Sequence, residues 1–322
     1  MFILKPYSNE KESQWDDFVE NSNNGTIFHL RRFLKYHPEG RFKDHSLMID
    51  KKGKLFTVFP AAEQKLNNCR YLISHPGSTI GSFVVTDNLS IADAIGIANL
   101  LVEYAKKHNF VGIRITLPPT LYQKRLSHYL DFSFIKSGFK YFKRDVSSIL
   151  FLEDSLQENL NKFRPSHKRA VRNAQRKGVI VKQTNDFATF YKILEKNLNI
   201  RHGVAPTHNL NELLDLHQRF PKRINLFGAF IKDQMVAGAV NFIVNENVVL
   251  AFYISHDDAF KDYRSVNLLF YSIFEWAIQQ KFKIYDFGIF TVNGEPNMGL
   301  GRFKENFGAS GIFRDTIESK LQ

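Results

Sequence analysis

YDFGIFTVNGEPNMGLGRFKENFGA, Tyr285–Ala309, opens as a buried strand with Tyr285 and Phe287 on either side of an acid, and closes on one lysine among phenylalanines. Between these ends lie Gly288, Gly294, Gly299 and Gly301, which read as a loop able to close over a ligand. A cation set between Phe303 and Phe307 is partly desolvated, so Lys304 is expected to meet a developing oxyanion or a phosphate. Asp286 stands where the strand emerges. Two roles fit it: holding an ammonium or relaying its proton, and capping the turn that follows.

Working outward, Ser265–Gln280 carries apolar residues at helical spacing, and VVLAFYIS, Val248–Ser255, is an apolar strand. Ile224–Val244 reads as a hairpin about Lys232-Asp233-Gln234. The first half shows the same order: two strands about a turn over Leu47–Gln64, the strand RYLISHP, a helix over Ser90–Asn109, and a strand over Phe110–Pro119 that stops at its prolines. The order recurs at an offset of roughly 170–180 residues, too long for a solenoid. Two copies of one α/β unit are therefore expected, each with helices on a mixed sheet.

Between the copies, Asn161–Gly178 carries Lys162, Arg164, Lys168, Arg169, Arg172, Arg176 and Lys177 with no carboxylate. If the segment is helical, Arg164, Lys168, Arg172 and Arg176 fall on one stripe that repels itself and that a polyanion would relieve. A solvated linker helix is the bland reading and phosphate contact the sharper one. The whole chain has 44 Lys and Arg against 32 Asp and Glu, a formal charge of +12, which favours phosphate-bearing partners.

At 322 residues the chain is long for one core, and 31 phenylalanines exclude long disorder. One cysteine, Cys69, excludes an intrachain disulfide and reads as a half-buried structural thiol in a reducing compartment. No apolar run approaches the ~20 residues a membrane span needs, and the N-terminus lacks signal-peptide character, so a cytoplasmic protein is expected. P-loop, dinucleotide, nucleophile-elbow and Cys-x-x-Cys patterns are absent. His202, His208, Glu212 and His217 cluster, but their spacing matches no standard zinc motif, so no metal is expected.

The second half resembles the FemAB-like branch of the GNAT N-acyltransferase superfamily, which includes the Fem aminoacyltransferases of peptidoglycan cross-bridges and acetyltransferase-like relatives. The resemblance rests on RHGVAPTHNLNEL (Arg201–Leu213), AFYISHDDAFKDYRSVNLLFYSIFEWA (Ala251–Ala277) and the Asp286-Phe287-Gly288 to Gly308 run. In the first half, GTIFHLRRFLKYHP and ISHPGSTIGS are also similar to that family. The fold class this implies is α/β (α+β), as two tandem GNAT-like domains, each a mixed twisted sheet flanked by helices. Their expected bounds are 1–150 and 151–322, with a basic helix over 156–178 opening the second.

By resemblance, a splayed strand end near Ile254 and Ser255 offers main-chain donors to an acyl carbonyl. Lys304 matches a lysine implicated in stabilising the reacting acyl group. The donor site is implied at Ile254, Arg264, Ser265, Val266 and Asn267. One departure bears on the donor: SHDDAFKDYRSVN has no glycine, so main-chain amides approach a pyrophosphate less easily. Acetyl-CoA or another acyl-CoA and aminoacyl-tRNA both remain open as donors. Arg201, His202, His208, Glu212, Tyr253, His75 and Asn297 make up the candidate acceptor side, with His208 and Glu212 on one helix face if the helix has already begun at His208.

The expected activity is transfer of an acetyl, acyl or aminoacyl group to a primary amine of a cell-envelope precursor or amino sugar. The rival from another class is a non-catalytic module that binds RNA or anionic lipid at a membrane surface through its basic stripe.

Overall fold

The computed structural model describes residues 1–202 and 206–321, with the side chains of 198–202 outside that description. The chain forms two compact units, Met1–Asp145 with Phe313–Gln322, and Val146–Ile312. The expected linear boundary at 150 therefore omits a return. After the second unit is complete, the end of strand Ser310–Lys320 pairs antiparallel with Gly112–Thr116 of the first, Ile317 opposite Ile115.

In the first unit, Phe2–Pro6, Leu47–Lys51, Lys54–Phe59 and Val84–Val85 form one antiparallel set in that order. A second set runs Lys43–Asp44, Ala62–Leu66, Cys69–Ile73, Gly112–Thr116. Its last two strands are parallel, which requires a crossover, and the helix Ile91–Lys107 supplies it. Ser90 caps that helix by accepting from Asp93 N, and Ala94, Ile97, Ala98, Leu101 and Ala105 make its buried face. These pack on Leu72, Ile113, Ile115 and Ile317. Cys69 is exposed rather than half-buried, because it opens its strand directly after the chain turns at Asn67 and Asn68.

The second unit repeats the scheme. Its strands are β1 (Val179–Thr184), β2 (Ile224–Ile231), β3 (Gln234–Ile243), β4 (Val248–His256) and β5 (Ile284–Ile289), hydrogen-bonded in that order. Ile149–Phe151, from strand Lys140–Phe151, pairs antiparallel beyond β5. Helices α1 (Pro165–Arg176), α2 (Phe187–His202), α3 (Leu210–Arg219), α4 (Ser265–Gln279) and α5 (Met298–Glu305) cover it. β4 and β5 are parallel, with α4 as the crossover. Leu269, Phe270, Ile273 and Phe274 of α4 are fully buried, each contributing about 1.5–3 kcal/mol over exposure. The tandem pattern of hairpin, strand, helix and parallel strand is thus present in both units.

The basic segment departs from its expected single helix. It breaks into Leu156–Lys162 and α1, because Pro165 disfavours helical geometry at the residue before it. Arg164 is extended there (φ −60°, ψ 148°) and becomes the N-cap. The predicted stripe from Arg164 to Arg176 consequently loses its first member to the capping position.

Candidate active site

β4 and β5 pair only over Val248–Leu250 and Ile284–Asp286. Beyond Leu250 the parallel strands part, while β4 continues six residues to His256. A cavity of about 600 Å³ opens in this unit, with Ile254 of β4 on one wall and the start of α4, Ser265, Val266 and Asn267, on another. Asn297, Gly299, Leu300 and Phe303 bring α5 to it, and His167 of α1 and Asn197 of α2 complete the enclosure.

Three buried polar atoms on its lining have no hydrogen-bond partner among the described residues: Ser265 Oγ, His167 Nε2 and Asn197 Oδ1. Orphaned buried groups are rare because each forfeits its hydration, roughly 1–3 kcal/mol. Three on one cavity mark a place built to receive a polar ligand. Ser265 also opens α4, where the first amides of any helix lack an intrahelical acceptor and favour an anion. Arg264, just before it, holds the left-handed conformation (φ 56°), a strain of roughly 1–2 kcal/mol for a non-glycine. His167, Asn197 and this strain belong to no motif in the sequence. His167 was legible only as a neutral residue inside a basic run. Burial, then the nearby Arg264 charge, lowers its pKa, so it stays neutral at pH 7.

The five donor-side residues therefore share one cavity: Ile254, Arg264, Ser265, Val266 and Asn267. Ser255 does not face it. Its Oγ donates to Ile193 O (3.3 Å) and accepts from Asn197 Nδ2 (3.1 Å), because successive strand residues point to opposite faces. Tyr253 likewise turns to the segment before α3, where His208 N donates to its Oη at 3.0 Å and His208 Nδ1 lies 2.9 Å away. Burial pushes the Tyr253 hydroxyl up to about 12. Asn297 lines the cavity but is also the N-cap of α5, accepting from Leu300 N at 3.0 Å.

Two acceptor-side expectations are corrected. α3 begins at Leu210, so His208 lies outside it and shares no helix face with Glu212. Glu212 instead completes a capping box, its carboxylate accepting from Asn209 N at 2.9 Å. His75 lies in the first unit, 5% exposed, with burial lowering its pKa to about 3. The Arg201 and His202 side chains lie outside the described residues.

Lys304 is 1% exposed, neither a surface lysine nor one presented to the cavity. Its Nζ donates to the carbonyls of Gly288 (2.7 Å) and Ile289 (2.9 Å), so it holds the end of β5 just past the point where the strands part. Asp286 is fully buried, and its Oδ1 accepts from Gly288 N and Ser147 Oγ, both at 2.6 Å. Of its two roles, the turn cap is the one its hydrogen bonds serve. Gly288 needs its glycine there, at φ 75°.

A family model described as "Acetyltransferase (GNAT) domain" matches residues 161–305, which span the parted strands, α4 and Lys304. The second unit has the GNAT fold. The whole chain is similar to solved FemX, with a TM-score of 0.75 at 15% identity, covering 99% of this chain and 97% of that one. It is also similar to the C-terminal domain of a putative lysylphosphatidylglycerol synthetase from Agrobacterium fabrum (TM-score 0.63, 11% identity, 97% and 92% covered). A tandem GNAT protein from the clavulanic acid biosynthesis pathway is a third (TM-score 0.60, 11% identity, 100% and 99% covered). These likenesses establish the tandem GNAT fold. No curated protein sequence matches the chain. No helix among the described residues is long and apolar enough to cross a membrane, and no group of His, Cys, Asp and Glu there is placed to hold a metal ion.

Proposed function

We propose that the second unit is an N-acyltransferase that moves an acetyl, other acyl or aminoacyl group from a thioester or tRNA ester to a primary amine. The observation that carries this reading is the convergence of Ser265 Oγ, His167 Nε2 and Asn197 Oδ1, all without partners among the described residues, on the cavity beside the parted strands. The donor's phosphate lies against the start of α4, where Arg264, Ser265 Oγ and His167 offer charge and hydrogen bonds. Its acyl end reaches the bare edge of β4 near Ile254, whose main-chain donors stabilise charge as it develops on the carbonyl oxygen. The nitrogen of the amine forms the new bond to the acyl carbon as the bond to the sulfur or ribose oxygen breaks, and the proton the nitrogen loses ends on that leaving sulfur or oxygen.

Lys304 and Asp286 act in this reading by position: together they fix the end of β5 and with it the width of the opening. The acceptor is an amine on a cell-envelope precursor or amino sugar. The solved neighbours include a lysylphosphatidylglycerol synthetase domain and a tandem GNAT protein described without AcCoA, so aminoacyl and acetyl donors both stand.

A donor screen tests the proposal: acetyl-CoA, longer acyl-CoAs and aminoacyl-tRNA against a panel of primary amines, read by mass spectrometry of the product. Transfer from one donor class is expected. No product and no binding with any of them overturns it.

A further inference from the structure

A second cavity, of about 450 Å³, adjoins the first and shares His167, Arg264 and Asn267 with it. Its own wall is one face of α1: Ser166, Arg169, Ala170, Asn173 and Arg176, at the helical spacing that brings residues three and four apart into a row. This is not the stripe expected from sequence. Three guanidinium groups, Arg169, Arg176 and Arg264, line the space, and none has a carboxylate within ion-pair distance among the described residues. Asn173 and Ser166 add uncharged donors.

Like charges lining one hollow repel one another, and neither an apolar nor a cationic ligand offsets that cost. A phosphate does, because the guanidinium fork matches its oxygens. His167 stands at the junction with Nε2 buried and without a partner among the described residues, and Ser265 Oγ is in the same state on the neighbouring wall. The two cavities thus form one track from the acyl end, past α4, to α1.

We propose that the arginine-lined cavity on α1 is a second anion subsite, which takes the phosphate group lying beyond the one held at the start of α4. This rests on the donor placement proposed above and narrows it: the donor carries at least two separated phosphate groups. The 3′-phosphate of a CoA thioester and the next phosphodiester of an RNA 3′ end share that chemistry. A donor ending at its first phosphate leaves the subsite unused.

The test is equilibrium binding to the full chain and to an Arg169→Ala, Arg176→Ala double variant, with CoA, dephospho-CoA and a short RNA hairpin with a single-stranded 3′ end as probes. Both arginines are exposed on α1, so the double variant is expected to keep the wild-type circular dichroism and melting curve. For a CoA donor, wild type binds CoA at least 10-fold more tightly than dephospho-CoA, and the variant loses that difference while holding dephospho-CoA within twofold. For an RNA donor, the hairpin binds at least 10-fold more weakly to the variant, and the slope of log affinity against log salt falls by about two. The inference is overturned if the variant binds the preferred probe within twofold of wild type, or loses CoA and dephospho-CoA equally. Normal acyl transfer with unchanged affinity overturns this subsite alone, whereas absence of binding and turnover with every donor overturns the transferase reading as well.

Discussion

Lys304 Nζ and the carbonyl of Gly288 lie 2.7 Å apart, joining a short helix to the residue two places beyond the last position at which β5 pairs with β4. The bond turns what looked like a reagent into a strut. Lys304→Met keeps the aliphatic stem but leaves the Gly288 and Ile289 carbonyls without their shared donor. A loss of about 2–4 kcal/mol is expected from urea denaturation, with turnover falling in parallel. A variant of wild-type stability and diminished turnover would return Lys304 to the reacting group.

Ser265→Ala removes a buried hydroxyl that bonds to nothing among the described residues, so folding stability should hold or rise, by up to about 1–3 kcal/mol. Donor binding should weaken roughly 10-fold, the worth of a hydrogen bond to a charged group. The change should appear in KM for the donor and leave kcat within twofold. An unchanged KM would remove the phosphate from the start of α4.

Tyr253→Phe strips the acceptor from His208 N, a buried main-chain donor. The expected cost is about 1–3 kcal/mol, seen as a lower melting temperature. With its hydroxyl at about 12, Tyr253 remains protonated through the ordinary assay range, so the pH–rate profile of wild type and variant should share one alkaline limb. A limb present only in wild type would make Tyr253 a proton carrier.

His29 sets a pH limit on the first unit. Its Nδ1 accepts from Thr26 N, and its Nε2 therefore carries the proton facing Gly81 O at 2.9 Å. Burial lowers its pKa from 6.5 to about 4. The unfolded chain takes up a proton near the ordinary histidine value while the folded one does not, so the contribution to stability is full above pH 6.5 and is lost as pH falls towards 4. His75, lowered to about 3, acts in the same direction. The unfolding free energy should drop steadily between pH 6.5 and 4, by about 3 kcal/mol for His29 alone. His29→Gln should flatten that slope, and an identical slope in the variant would assign it to other groups.

Apolar periodicity made the repeated unit legible, since Leu269, Phe270, Ile273 and Phe274 record one buried face in sequence order. The donor-side residues were legible because Ile254 and Arg264–Asn267 belong to consecutive elements. Lys304 misled because its partners are main-chain carbonyls 15 and 16 residues away, which no side-chain pattern encodes. Glu212 misled for the opposite reason, since its partner is local and the Asn209-x-x-Glu212 spacing is itself a helix-start signature. The orphaned atoms of Ser265, His167 and Asn197 could emerge only in three dimensions, because being without a partner is a property of surroundings.

The return of Phe313–Gln322 to the first unit has a consequence for synthesis on the ribosome. Ile317 belongs to the first unit's interior, yet it is translated after the entire second unit. The earlier-made half must wait, incomplete, with the edge of Gly112–Thr116 open to other strands, while the later-made half has all its own residues to hand. Maturation should run against the direction of translation, and a nascent chain halted before residue 313 should expose the first unit, not the second, to proteolysis.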